Sequence, residues 1–281
     1  LYKGGHALMP DIQKINRVDI TNIEALNRVS GSNIEQLDGQ AFVTFTAATY
    51  TFNSTNNSWA VPGGTTHMDV TVIGAGGIGS ASDGNKAGFG GGGAGTAEST
   101  ENTGGRLAIG NISNLAIVVG VGGAGNTAST SSTVNGGDMT EMEGEYGRHL
   151  SIGSGWNASA GGGPSGTNGG GNTNTNGGSG GHGPNGAGNG TAGNAGACGG
   201  GGGGDRYTNA TPGGAGGSGN VGGAGGAGGF GGNTVNSGVA GTAPGGGSGG
   251  GGAGWGGTTA ETSGSDGRIV INTRSGANGN T

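Results

Sequence analysis

The chain has 281 residues, 82 of them glycine, with 9% charged and 4% aromatic residues and a formal net charge of −6. Its 10 Lys and Arg residues form no cluster, which excludes nucleic-acid binding through phosphate contacts, and no apolar run has membrane-spanning length. A single cysteine, Cys198, excludes an internal disulfide, and the length admits one or two domains.

In chain order, residues 1–11 read as a leader. Leu1–Pro10 lacks the apolar core of a signal peptide, and Met9 offers an alternative start. Residues 12–40 repeat with an 11-residue period: Ile12, Ile15 and Val18 recur as Ile23, Leu26 and Val29, then as Ile34 and Leu37. Such a period can mark a right-handed helical supercoil. Here, however, the units end in Asn, Asp, Ser or Gly, which favour turns over helix interiors. The expectation is short extended pieces joined by turns. A unit of this size cannot bury its own apolar side and must stack on copies of itself or on another protein. Those eight apolar residues are the expected attachment or oligomerisation contacts; a flexible leader is the bland alternative.

Residues 41–160 read as β-rich. Phe42–Phe52 is dense in Thr, Val, Phe and Tyr, which suit strands, and Val61–Gly64 reads as a turn. Met68, Val70 and Val72 alternate with Asp69 and Thr71, the pattern of a half-buried strand. Leu107 with Ile109, Leu115–Val121, and Leu150 with Ile152 mark further strands, and Arg268–Asn272 marks a last one in the closing segment 258–281. The first and last strands are expected to pair, closing a small β-sandwich.

Between them, residues 161–257 are organised by glycine. Gly213–Asn233 reads GGA-GGS-GNV-GGA-GGA-GGF-GGN, with glycine first in every triplet and second in all but one, at Asn220. A flexible linker needs composition but no phase. A period of three is the symmetry of the polyproline-II conformation, which rises about 3.1 Å per residue and makes no internal hydrogen bonds. Collagen needs one glycine per triplet with abundant proline, and 6 prolines rule it out. The remaining ordered reading is a slab of polyglycine-II helices side by side, whose amides and carbonyls bond sideways because buried backbone groups need partners. Gly177–Gly188, Gly190–Gly204 and Gly246–Gly254 carry further triplets, with Asn189 shifting the phase. Asp205–Pro212 and Asn233–Asn236 read as turns between helices. Unbroken, the seven triplets would make a helix about 65 Å long. Disorder is the alternative that such composition normally indicates. The expected fold is all-β: a small β-sandwich with an inserted slab of polyglycine-II helices, preceded by an extended 11-residue-repeat anchor.

Three motifs border these blocks: VPGGTTHMDVTVIGAGG (Val61–Gly77), LAIVVGVGGAG (Leu115–Gly125) and SDGRIVI (Ser265–Ile271). From Phe42 to Asn272 the order resembles the glycine-rich domain family found at the C-termini of many bacteriophage virion and tail-fibre proteins. The IQKINRV and IEALNRV units are similar to short repeats in virion structural proteins of tailed phages. The triplets are similar to the polyglycine-helix adhesins at tail-fibre tips of T-even-like phages, in which loops between glycine helices touch the bacterial receptor. The β region here is larger than in those adhesins, and their attachment segment has no match. The resemblance implies a virion structural protein at the outer surface of the particle. Its repeats would anchor it to other virion proteins, and its tip would meet a bacterial surface glycan or outer-membrane protein.

The residues themselves offer no catalytic constellation. His6, His67, His149 and His182 are scattered and show no metal-ligand spacing. His182, in a triplet's third position, reads as an exposed polar side chain. GxGxxG recurs by chance in a glycine-rich chain and opens no helix. Asp138, Glu141, Glu143 and Glu145 could ligate Ca²⁺, but their spacing fits no EF-hand and a solvated acidic loop is the simpler reading. Cys198 reads as a packed small residue, and Trp59 and Trp255 as packing at the slab's edge. Tyr and Arg recur in binding hot spots. The inter-helix loops therefore supply the candidate receptor contacts Asp205, Arg206, Tyr207 and Asn209, with Asn233, Thr234 and Asn236. The Asn-rich segment Asn172–Asn176 stands behind them, and inert turns are the alternative. No enzyme activity, metal or cofactor is expected. The functional expectation is a tail-fibre or appendage adhesin. A non-recognising virion spacer and a cellular surface- or ice-binding glycine-helix protein are the alternatives.

Overall fold

The computed structural model of the chain describes residues 25–26, 29–30, 36–37, 40–41, 45–82, 86–103, 105–110, 112–124, 127–137, 139, 141–148, 173–184, 188–206, 213–231, 235–254 and 257–275. The chain divides into two compact units, Leu1–Thr46 and Ala47–Thr281.

The first unit contains two short antiparallel hairpins. β1 (Ala25–Leu26) pairs with β2 (Val29–Ser30), and β3 (Gln36–Leu37) pairs with β4 (Gln40–Ala41). In backbone register Leu26 pairs with Val29 in the first, and Leu37 with Gln40 in the second. Both strands of the second hairpin follow their counterparts by 11 positions, so the sequence period is also a structural one. Extended pieces carry it, as the turn-forming residues imply. Ile12, Ile15, Val18, Ile23 and Ile34 lie outside the described residues.

The second unit begins with a β-sandwich. One sheet joins β5 (Thr49–Phe52), β7 (His67–Ile73), β8 (Thr96–Ser99), β13 (Thr173–Thr175) and β14 (Arg268–Arg274) in the order β13-β8-β7-β14-β5, with β9 (Leu107–Ala108) also on β7. The other joins β6 (Asn56–Ala60), β10 (Asn114–Val118), β11 (Ser132–Asn135) and β12 (Met142–Gly144) in the order β12-β11-β10-β6. The expected closure forms: β14 pairs antiparallel with β5 on one side and β7 on the other, and Ile271 faces both Tyr50 and Val70.

Alternation makes the core. Met68, Val70 and Val72 of β7 and Ile269 and Ile271 of β14 are fully buried, packed in one cluster with Leu115 and Ile117 of β10, Val134 of β11 and Met142 of β12. Burial of each such side chain contributes about 1.5–3 kcal/mol. Trp59 does not pack on the slab's edge. It sits on β6 with ring centroids 4.9 Å from Tyr50 and 5.6 Å from Phe52, where the edge strands of the two sheets meet. Strands β8, β11, β12 and β13 are short and polar, reading TAES, STVN, MEG and TNT. Neighbouring strands rather than propensity place them. The expected strand at Leu150 and Ile152 lies outside the described residues.

Among the described residues the glycine-rich part forms a lattice of side-by-side runs, including g1 (74–82), g2 (87–95), g3 (176–184), g4 (188–196), g5 (198–206), g6 (213–220), g7 (221–231), g8 (235–243), g9 (244–254) and g10 (257–267). Their bonding has period three. In g2 the amides of Gly88, Gly91 and Ala94 donate to Gly251, Ser248 and Gly245 of g9. Those of Gly90 and Gly93 donate to Gly181 and Gly178 of g3, and those of Gly92 and Gly95 to Arg148 and Glu145, all at 2.7–3.0 Å. Successive residues thus bond in three directions, whereas a β-strand alternates between two. Run g5 is enclosed. It donates to g7 from Gly199, Gly202 and Asp205, to g4 from Gly200, Gly203 and Arg206, and to g2 from Gly201 and Gly204. Its carbonyls accept from g3, g6 and g9. Glycine is required by this closeness: a methyl group at Gly202 would land on the Gly214 carbonyl, and one at Gly200 on the Ser179 carbonyl. In g6 and g7 side chains appear where the runs face outward, at Ala215, Ser218, Ala224 and Phe230.

Two expectations are corrected. The seven triplets do not form one long helix. The chain reverses at 219–222, and Gly225 and Gly228 of g7 donate back to Gly217 and Gly214 of g6. The reversal falls on Gly219-Asn220-Val221, the triplet without a second glycine. Gly190–Gly204 is likewise a hairpin, reversing at 196–198. A nine-residue run therefore spans about 28 Å. Nor is the lattice confined to 161–257, since g1, g2 and residues 145–148 belong to it.

Strands feed the lattice directly: β7 continues into g1, g2 into β8, β13 into g3 and g10 into β14. Cys198 packs with Ile73 and Ala94 at this junction. Burial pushes its thiol up to about 12, against the opposing amides of Gly223 and Ala94. It stays protonated and acts as a packed small side chain.

Candidate functional site

The end of the lattice where the strands enter also holds the reversals at 196–198, 219–222 and 242–245. The opposite end gathers the chain at the flanks of five connecting segments. Arg206 and Gly188 exchange both backbone hydrogen bonds at 3.0 Å. The Asp205 amide donates to Gly229, and its carbonyl accepts from Ala253. The Asn236 carbonyl accepts from Gly252, and the Gly88 carbonyl from Gly204. Ser82 and Thr259 share a hydroxyl hydrogen bond of 3.0 Å. The segments that join these flanks read DGN (83–85), NGA (185–187), YTNATP (207–212), GNT (232–234) and WG (255–256).

Of the two predicted receptor segments, the described flanks Arg206 and Asn236 lie at this end. Individual residues differ in their placement. Asp205 is fully buried, and its Oδ1 accepts the Gly190 amide at 2.6 Å. That carboxylate ties g4 to g5 and does not face outward, which corrects its assignment as a surface contact. Arg206 is half-buried and Asn236 is exposed. Tyr207, Asn209, Asn233 and Thr234 lie outside the described residues, as does Trp255. The Asn-rich segment does not join this end. Thr173–Thr175 is strand β13, paired with β8, so Asn174 and Asn176 belong to the sheet side of the lattice. The flanks at Ser82, Pro184 and Gly254 were missed, although each lies where the glycine phase breaks. His182 is half-buried, and its amide donates to Thr191 Oγ1 at 2.7 Å.

The acidic stretch is only partly a solvated loop: Glu141 is exposed outside any strand. Met142–Gly144 is strand β12, paired with β11, which puts Glu143 opposite Thr133. Asp138 lies outside the described residues, and among those described no group of three or more His, Cys, Asp or Glu could hold a metal ion. Glu145 stands out electrostatically. Desolvation raises its carboxyl above the ordinary carboxylate range, Glu143 adds to the rise, and Arg148 opposes it. Its Oε2 is buried without a hydrogen-bond partner among the described residues. A folded-state pKa above the unfolded one means the native state holds the proton more tightly. Stability is then greatest below the carboxylate range and falls as pH rises through the raised value. Glu145→Gln is accordingly expected to raise the melting temperature near pH 7 and to leave it unchanged near pH 4. Thermal melts at the two pH values check this, and a lower Tm for the variant at neutral pH defeats it.

Residues 51–274 match the glycine-rich domain family. The match opens inside β5 and closes on the last residue of β14, the two strands that pair to shut the sandwich. The chain belongs to this family. The glycine-rich domain is thus one folded body, sandwich and lattice together, and the 11-residue repeats precede it. No curated protein matches the chain. Among the described residues no helix is long and apolar enough to cross a membrane.

Proposed function

We propose that this glycine-rich domain protein is a non-catalytic structural component of a tailed-phage virion, a tail-fibre or appendage part whose lattice end meets the host surface. The observation that supports this most is the asymmetry of the lattice. Tight reversals and strand junctions occupy one end, while the flanks of five connecting segments share the other. A hydrogen-bonded slab holds the flanks of such segments at fixed spacing, and rigid scaffolds bearing variable loops are a common way to build a binding surface. Weak contacts there would gain strength from several copies on one particle. The repeats before the domain would fix it to other virion proteins.

Two measurements test the reading. An antibody against the chain should label intact virions at an appendage, and labelling confined to host cells removes the virion assignment. The double variant Tyr207→Ala with Arg206→Ala should lower adsorption to host cells about tenfold or more, the scale of a lost hot spot, with the melting of the domain unchanged. Full adsorption by that variant would favour a non-recognising spacer.

A further inference from the structure

We infer that the third residues of the g7 triplets act as guards. Ala224, Ala227 and Phe230 stand in a vacant run position of the lattice and keep further glycine-rich chains from adding there. The position lies beside g6 and g7, on the side away from g5. Both runs are described throughout, at 213–220 and 221–231.

The bonding shows the vacancy. In g6 the amides of Gly214 and Gly217 donate to Gly203 and Gly200 of g5, while those of Gly216 and Gly219 donate to nothing among the described residues. In g7 the carbonyls of Gly223 and Gly226 accept from Gly199 and Gly202 of g5, and those of Ala224 and Ala227 accept from Thr242 and Val239 of g8. The carbonyls of Gly225 and Gly228 accept from nothing among the described residues. Amides on one run and carbonyls on its neighbour are thus left over, each three residues apart. Run g5 meets the same two kinds of group on its own side of the pair, and bonds to both. The bare side offers what g5 uses and has no run to use it.

Side chains close that side. A methyl group at Gly225 would land on the Gly200 carbonyl of g5, and one at Gly226 on the Val239 carbonyl of g8. Three successive residues complete one turn of a three-fold helix. The third residue of the triplet therefore turns its side chain away from both neighbours, toward the bare side. Ala224 and Phe230 are exposed there, and Ala227 is half-buried. Runs that bond leave no room for a methyl group at the facing position, as at Gly202. Three such side chains in a row hold an arriving run beyond hydrogen-bonding distance, the way bulky or charged residues blunt the open edge of a sheet. The enclosed run g5 carries no such residue between 199 and 204, where every position is glycine.

The inference concerns the flank of the lattice and stands apart from the virion reading. In the unaltered protein the Gly216 amide should exchange with solvent freely at any protein concentration, while the Gly214 and Gly217 amides exchange slowly. The triple variant Ala224→Gly, Ala227→Gly and Phe230→Gly opens the position. Serine at the same three positions keeps it closed. A capped peptide of Gly-Gly-Ala triplets should slow exchange at Gly216 about tenfold in the glycine variant, as occupancy of about nine-tenths requires. It should change nothing in the serine variant or the unaltered protein. Slow exchange at Gly216 in the unaltered protein overturns the vacancy, whether or not the glycine variant folds. An equal response of the folded glycine and serine variants to the peptide, or none from either, overturns the guarding role of the side chains.

Discussion

Gly202→Ala is expected to destabilise the domain by about 3 kcal/mol or more, while Gly188→Ala is expected to be neutral or slightly stabilising. Overpacking an ordinary core costs about 1–3 kcal/mol because neighbouring side chains can shift. At Gly202 the added methyl would meet the Gly214 carbonyl and, behind it, the carbonyl of Ala215. Those atoms are backbone of g6, whose amides at Gly214 and Gly217 are bonded to Gly203 and Gly200. Relief therefore requires moving a run and losing its hydrogen bonds. At Gly188 the nearest atom to such a methyl is Pro184 Cβ at 3.6 Å, an ordinary contact. Alanine there narrows the unfolded ensemble and can gain about 0.4–1 kcal/mol. Urea titrations of the two variants measure the contrast. Equal losses, or none at Gly202, would mean that close approach of the runs does not hold the lattice together.

That contrast bears on how the domain is stable at all. Ordering glycine costs roughly 0.5–1 kcal/mol more per residue than ordering alanine, and the lattice has few side chains to bury. Its favourable terms are backbone hydrogen bonds, each worth about 0.5–1.5 kcal/mol net, with Cα–H···O contacts adding weakly. The bare backbone permits this because a run can donate in three directions and accept from further runs, so that g5 bonds to six neighbours. Stiffness follows, since a run cannot move without breaking bonds in several directions. A rigid slab of this kind suits a scaffold that presents connecting segments at one end.

The sandwich and the three-fold phase were legible in the sequence because each rests on local periodicity. Met68, Val70 and Val72 alternate with period two, and Gly213–Asn233 repeats with period three. What the phase did not reveal was chain direction. A triplet run continues unbroken through the reversal at 219–222, since a turn between polyglycine helices needs no departure larger than Asn220-Val221. The short strands β8, β11, β12 and β13 were hidden for the opposite reason: Thr96–Ser99 or Thr173–Thr175 has little strand character until β7 or β8 supplies a partner. At the candidate site, proximity in the lattice was not readable, because hydrogen bonds join residues as distant as Gly88 and Gly251. The inward role of Asp205 was also invisible: an Asp-Arg-Tyr sequence looks like a surface loop until the Gly190 amide is found on its carboxylate.

Asp69→Ala is the second large expected loss, about 3 kcal/mol, and its cause is distinct from that at Gly202. The Asp69 carboxylate accepts from Arg106 Nε at 3.1 Å, from Arg274 Nε at 3.2 Å and from the Glu101 amide at 3.1 Å. It joins β7 to the last residue of β14, 205 positions away. The two arginines differ in what they contribute. The Arg106 side chain is 5% exposed and that of Arg274 25% exposed. Removing one partner of a buried pair costs about 3–5 kcal/mol because a charge is left without its counter-ion, whereas a more exposed pair contributes at most about 1 kcal/mol. Arg106 keeps its contact with Glu101 at 2.6 Å, which places the expected loss at the lower bound. Arg274→Ala should then cost no more than about 1 kcal/mol. Adding Arg106→Met to Asp69→Ala should recover part of the stability, since an apolar side chain of similar length removes a buried charge that has lost one of its two carboxylates. Denaturant midpoints of the three variants separate the effects. If Arg106→Met brings no recovery, the carboxylate acts through strand closure at β14 and not through charge.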